Sequence, residues 1–450
     1  MTEGRNIYDV VVVGAGVVGS AAAHVLAEQG ASCLLLEADP DAVRRYAGEW
    51  MHPTVTRLMD EFGLEIPDAA SDHPAGEGFV VHPDDGTEPI ELPYPTDRQG
   101  FCCSHYELST SVRAQAADHG AVTYRPYARA VDVDPEGRVR FHLSEENLDR
   151  EVAADLVVGA GGRSSICRQS IGEDTPRELV TYMAALGLNE VELPREGYGH
   201  IFTGGPGVAL GYRHAPDEVR LCLDVPSERR DLKNDPQALY EAFEEALPEQ
   251  LRGPVRDELD RENLRWSATF FQPRTERGEE RVALVGDAIG LCHPLCAAGV
   301  AVGFLDIALL AEAYEEGNLE SYRERGAAET RVPELMSCVI YKLLGTTEDT
   351  SALRRALYRT WRRDPAERNR TMQILTGAAR DPGTFVASFA NVGAQALVDS
   401  GRETLRDGGM ADLVSGAEGF GEWAQWPLAA ALPDTVAERF RATSSVDSFF

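Results

Sequence analysis

Residues 7–37 read IYDVVVVGAGVVGSAAAHVLAEQGASCLLLE, and this stretch decides the fold. The run of valines is the unbroken apolar type expected of a strand buried on both faces of a parallel sheet. It meets a turn carrying Gly14, Gly16 and Gly19, then an alanine-rich helix, then a second apolar strand that ends in Glu37. The whole is one βαβ unit with GxGxxG spacing. In that spacing the first glycine permits a tight turn, the second lets backbone amides approach a pyrophosphate, and the third allows helix and strand to close on each other. Glu37 is placed to accept hydrogen bonds from an adenosine ribose.

Two further apolar strands end on glycine turns. One is DLVVGAGGRSSICRQSIG (155–172), the other RVALV (281–285) followed by GDAIGLCHPLCAAGVAVGFLDIALL (286–310), read as a turn and a long, nearly uncharged helix over 294–310. Residues 76–100 are rich in Pro, Gly and Asp. Residues 180–274 alternate in the manner of an antiparallel sheet, interrupted by one helix around 236–248, and the pattern from 346 onward is helical. The expected fold class is α/β. A discontinuous Rossmann-like nucleotide domain takes 1–75, 101–179 and 275–345, an α+β substrate domain on a mainly antiparallel sheet takes 76–100 and 180–274, and a helical region takes 346–450.

A chain of 450 residues, 43% hydrophobic, can bury two or three cores. No uncharged apolar run reaches the ~18 residues a membrane span needs. The N-terminus enters a strand without a basic leader, so the expectation is a soluble cytoplasmic protein, with peripheral membrane association left open. A formal charge of −31 with no Lys/Arg cluster argues against nucleic acid. Lys233 and Lys342 are the only lysines; salt adaptation or a GC-rich genome would each account for the arginine bias. Eight cysteines include no CxxC pair, and Cys292, His293 and Cys296 are too crowded for zinc, so no metal site is expected.

Four passages carry a resemblance. RRYAGEWMHP (44–53), HYELSTSVR (105–113), residues 286–310 through DIALL, and LRRALYRTW (353–361) with ILTGAARDPGTF (374–385) are similar to segments of the FAD-dependent aromatic hydroxylase and squalene epoxidase superfamily, more narrowly its squalene epoxidase branch. The resemblance implies that Gly14, Gly16, Val17, Val18, Gly19, Glu37 and Ala38 hold the ADP half of FAD. Arg45, Glu49 and Arg113 would approach the cofactor, and Gly161, Gly286 and Asp287 its middle. Pro294, Ala298, Gly299 and Val300 would lie beside the flavin ring. It further implies a monooxygenase, using NAD(P)H directly or through a separate reductase, that transfers oxygen from dioxygen by way of a flavin hydroperoxide to a hydrophobic substrate. That substrate is expected to be terpenoid, prenylated or aromatic, and the reaction an epoxidation or a hydroxylation.

Some positions depart from the branch. Gly161 stands where the superfamily usually has an aspartate, Glu107 where the branch has arginine, Ala297 and Ala298 where it has glycines, and His52 where it has glutamine. Because imidazole titrates near neutrality, His52 is the one nearby residue nominated as an acid or base. Tyr182, Phe202, Tyr212 and Phe271 are candidate substrate contacts. Competing readings are a reductase or dehydrogenase of prenyl chains, a flavin halogenase, and a non-catalytic protein binding FAD and lipid.

Overall fold

The computed structural model describes residues 8–42, 48–172, 176–261, 263–345 and 350–407. In chain order the elements begin with β1 (Val10–Val13), α1 (Val17–Glu28), β2 (Cys33–Leu36), β3 (Trp50–Met51), α2 (Pro53–Glu61), β4 (Gly78–His82) and β5 (Ile90–Pro93). There follow β6 (Phe101–Cys102), α3 (His105–Asp118), β7 (Val122–Arg125), β8 (Ala128–Val133), β9 (Arg138–Leu143), β10 (Leu148–Ala153), β11 (Leu156–Gly159) and α4 (Ile166–Ser170). The second half holds β12 (Glu178–Asn189), β13 (Tyr198–Phe202), β14 (Ala209–Arg213), β15 (Glu218–Pro226), α5 (Pro236–Phe243), α6 (Glu249–Asp260), β16 (Arg265–Phe271), β17 (Gly278–Glu279) and β18 (Val282–Leu284). Helices α7 (Ala298–Glu315), α8 (Leu319–Leu344), α9 (Ser351–Arg363), α10 (Pro365–Leu375) and α11 (Pro382–Asp407) complete it.

Six strands form one sheet in the order β17-β18-β11-β1-β2-β7, parallel except for β17. Val10–Val13 are buried on both faces, under α1, α3 and α7 on one side and β8–β10 with α4 on the other, which is why the sequence shows a run instead of alternation. Because β18, β11 and β1 are neighbours running the same way, their three glycine turns emerge side by side at the carboxyl edge.

The second sheet runs β16-β12-β15-β14-β13-β4-β5. One face packs beneath α5 and α6 through Leu239, Phe243 and Val255. The other face joins Trp50, Leu295, Ala298 and helices α8–α11 in a larger core. Two readings from the sequence are corrected here. The single helix expected around 236–248 is two, since the chain is extended at Pro248 and α6 starts after it. The helix expected from 294 starts at Ala298, after a one-turn segment Pro294–Cys296 and a left-handed Ala297 (φ 50°). The antiparallel β8–β10 sheet was not anticipated.

Candidate functional site

Each glycine of the first turn has its own steric reason. A Cβ on Gly14, which sits at φ +106°, would lie 2.6 Å from the Ala160 carbonyl oxygen, and one on Gly19 would lie 1.9 Å from that of Gly14. A Cβ on Gly16 would meet nothing within 4 Å. The first and third glycines therefore close protein against protein, while the second faces open space beside the N-terminus of α1. That terminus has no side-chain cap, so the amides of Val17 and Val18 are not claimed by the N-cap residue. Gly161 lies against the first turn, and Gly286 (φ +61°) packs on Val18, which also fills the space above Gly303 of α7.

At the other end of the cleft the Glu37 carboxylate accepts from the amides of Ala15 and Asp39, both at 2.8 Å, leaving acceptor capacity for a hydroxyl. Ala38 is half-buried beside it. Arg113 is 7% exposed; one guanidinium nitrogen donates to Pro40 O at 3.3 Å, and Nη1 has no partner among the described residues. One turn earlier on α3, the Ser109 hydroxyl is likewise buried and unpartnered. A buried guanidinium with an idle N–H, an uncapped helix N-terminus and an empty position over Gly16 suit a diphosphate. Toward the far end Asp287, Pro294 and Gly299 are exposed, Ala298 is buried, Val300 is half-buried, and α7 also starts without a side-chain cap or an acid in its first turn. These residues fit an extended anionic dinucleotide with a flat ring at the α7 end. Arg45 lies outside the described residues.

The Glu107 departure has a local explanation. Glu107 closes a capping box with Ser104: the Ser104 hydroxyl accepts from the Glu107 amide at 3.1 Å, and the Glu107 carboxylate accepts from the Ser104 amide at 3.1 Å. Ser104→Ala is expected to cost about 1 kcal/mol of stability, read from urea denaturation, with the protein still folded.

A model described as the FAD binding domain matches residues 7–327. The chain belongs to this family. More narrowly, it is an enzyme of the FAD-dependent monooxygenases, with FAD as cofactor and NAD(P)H as the donor typical of the class. Among its relatives are a squalene epoxidase of Candida albicans, 25% identical over 68% of this chain and 71% of that one. A squalene monooxygenase of Rattus norvegicus is 22% identical over 85% and 70%. A mitochondrial squalene epoxidase of Arabidopsis thaliana is 28% identical, but the match covers 54% of its length. The fold is shared with the p-nitrophenol 4-monooxygenase of Pseudomonas putida (TM-score 0.68, 19% identity, 83% of this chain and 99% of that one). It is also shared with the flavin-dependent brominase Bmp2 (TM-score 0.69, 17% identity, 88% and 99%).

Within this FAD monooxygenase the open position at Gly16 makes a prediction. Gly16→Ala should leave thermal stability nearly unchanged and weaken FAD about tenfold, about 1.4 kcal/mol, measured by flavin fluorescence titration.

His52 is corrected from acid or base to a structural tether. It is 0% exposed, and both ring nitrogens are engaged, Nε2 with Cys296 O at 2.7 Å and Nδ1 with the Tyr94 hydroxyl at 2.8 Å. The carbonyl only accepts, so Nε2 carries the proton, and Tyr94 in turn accepts from Trp50 Nε1 at 2.9 Å. Burial lowers the His52 pKa to about 4, the bond to Cys296 only partly opposing it, so the ring stays neutral while pinning the loop that presents Pro294. Glu49 is also committed to the protein: its carboxylate accepts from Arg220 Nε at 3.0 Å and from the Tyr212 hydroxyl at 3.0 Å, with Glu49 and Arg220 buried and Tyr212 half-buried.

The four candidate substrate residues divide between the faces of the second sheet. Tyr212 and Phe271 join the core that contains Leu295 and Ala298, on the α7 side. Tyr182 and Phe202 lie on the opposite face, in the core beneath α5 and α6, and are corrected accordingly. Missed by the sequence reading are Asp224 and Thr181, two buried polar residues described below with His293, which was weighed only as a metal ligand, and Asp306, which secures the Gly286 turn.

Proposed function

We propose that this enzyme inserts one oxygen atom of dioxygen into a hydrophobic terpenoid, prenylated or aromatic molecule, by epoxidation or ring hydroxylation. The observation that supports the reading is the buried apolar cluster in which Phe79, Val81, Ile201 and Phe271 join Leu295 and Ala298 at the start of α7. Surroundings of this kind keep water from that helix terminus and favour an apolar molecule beside it. The names of the relatives, squalene epoxidases and monooxygenases, agree with an apolar substrate.

Bound FAD supplies the activation of oxygen. The chain's own residues bind and orient. The uncapped amides of α7 favour negative charge at its N-terminus, and neutral His52 fixes the preceding loop through Cys296. A halogenase reading finds no support in Lys233, which lies over the Tyr182 ring at 4.0 Å, on the face turned toward α5 and α6.

The test is turnover of the FAD-loaded enzyme under oxygen-18 gas with NADPH or NADH, with and without a ferredoxin-type or flavin reductase. Label in the product supports the reading. Reduction of a prenyl double bond without label would replace it by the reductase alternative. Flavin bleaching by NADPH alone under anaerobic conditions would remove the need for a partner.

A further inference from the structure

On the α7 side of the second sheet, a row of buried polar groups leads from the strands to the loop before α7. Asp224 of β15 is 1% exposed, and neither carboxylate oxygen has a hydrogen-bond partner among the described residues. Thr181 of β12, two residues along the strand from the Met183 that opposes Asp224 (Thr181 itself opposes Pro226), is 0% exposed, and its hydroxyl makes no well-formed hydrogen bond among the described residues, although it is near enough to the Asp224 carboxyl to lower its pKa. Tyr341 of α8 is close enough for its phenol to feel the Asp224 charge, and its ring stacks on His293 with centroids 4.0 Å apart. His293 Nδ1 accepts from the Leu295 amide at 3.3 Å, so the neutral ring carries its proton on Nε2, which is buried and has no partner among the described residues. Burial lowers the His293 pKa to about 3, which keeps it neutral.

A buried polar group without a partner keeps its desolvation penalty uncompensated, and folded proteins hold few of them. Three in one contiguous row, on the sheet face that adjoins the α7 start, need a partner that arrives from outside. The inventory specifies it. Asp224 offers acceptors, Thr181 a donor and acceptors, and His293 a donor, so an anion is repelled by the carboxylate and a hydrocarbon leaves every group unsatisfied. A hydroxyl both donates and accepts.

We propose that Asp224 and Thr181 bind a hydroxyl group on the substrate, so that the molecule oxidised is an apolar alcohol or phenol and not a hydrocarbon. The inference rests on the proposed function and narrows its substrate class. Asp224 and Thr181 set specificity: the hydroxyl is held at the sheet while the apolar remainder lies along Phe79, Val81 and Leu210. Burial raises the Asp224 pKa to about 7, the nearby Thr181 hydroxyl only partly opposing it, so near neutrality the group can accept from a ligand hydroxyl or donate to it.

The experiment uses the FAD-loaded full chain and two matched pairs of probes, geranylgeraniol with its methyl ether and 4-nonylphenol with its methyl ether. Binding is read from the perturbation of the flavin absorbance spectrum. The expected result is that at least one hydroxyl compound binds tenfold or more tightly than its ether. That preference should fall to about twofold or less in Asp224→Ala and shrink in Thr181→Val, while binding of the ether stays within about threefold. Asp224→Asn, which retains shape and an acceptor, should keep part of the preference and serves as the folding control. Equal binding of alcohol and ether in both pairs, or a preference undiminished in Asp224→Ala, overturns the proposal. A preference that stands while oxygen-18 fails to enter any product would instead remove the monooxygenase reading and leave the hydroxyl site in place.

Discussion

Replacing Asp306 by alanine is expected to cost about 3–5 kcal/mol of folding stability and to yield protein that no longer retains FAD. The residue is 0% exposed on α7 and is shared among three donors. Its Oδ2 accepts from Arg274 Nη2 at 2.6 Å and from the Gly286 amide at 2.9 Å, and its Oδ1 from Arg277 Nη1 at 2.7 Å. Arg274 also donates to Gly286 O at 2.9 Å, and Arg277 continues to the Thr330 hydroxyl. One carboxylate thus ties α7, the Gly286 turn and the segment after β16 together. Its loss removes the carboxylate that the two buried guanidinium groups share, leaving Arg274 only the more distant influence of Glu334, and frees the amide that fixes the turn carrying Asp287. Asp306→Asn, which keeps an acceptor for the Gly286 amide but not the charge, should lose a smaller part of both. Urea denaturation and the flavin-to-protein absorbance ratio measure the two effects. An alanine variant within about 1 kcal/mol of the parent and still yellow would show that the arginines find other partners.

Asp306 also illustrates what the sequence made legible. A lone acid inside the apolar FLDIALL was itself a signal, since a buried charge requires a partner, yet nothing local says that the partners are Arg274 and Arg277. The nucleotide half was readable because its strands are buried on both faces and its glycines answer to steric demands that no other residue meets, as at Gly14 and Gly19. The second sheet was harder for the same physical reason. β13 is buried throughout and β15 nearly so, so alternation could not say which side chains face α7, and Tyr182 and Phe202 were nominated as substrate contacts although they lie on the face beneath α5 and α6. The start of α7 was invisible because Ala297, in a conformation that normally favours glycine, carries no glycine signal. His52 looked titratable in isolation; only the tertiary contacts with Tyr94 and Cys296 make it neutral.

The remaining large effect concerns pH. The Asp224 pKa is raised by burial from 3.8 to about 7 in the folded protein, so over that interval the folded state keeps a proton that the unfolded chain has released. Stability contributed through this group therefore falls as pH rises from about 4 to about 7 and is level above that. A rise of about 3 units corresponds to about 4 kcal/mol as an upper figure, at 1.36 kcal/mol per unit. The groups that share its surroundings are the Thr181 hydroxyl, the Tyr341 phenol, itself pushed up by burial and by the Asp224 and Glu228 charges, and the Cys222 thiol, pushed up to about 12 chiefly by burial. None of them is cationic, so none can offset the carboxylate as it ionises. Asp224→Asn should accordingly gain on the parent by a few kcal/mol at pH 8 and by little at pH 4.5, as measured by urea denaturation of both proteins across the range. A constant difference between them would place the titration elsewhere. Because a ligand hydroxyl can donate to the ionised carboxylate, a saturating alcohol probe should recover part of the loss at pH 8 in the parent and less in the asparagine variant. In that comparison the penalty of leaving Asp224 unpaired and the specificity it confers are read from one group.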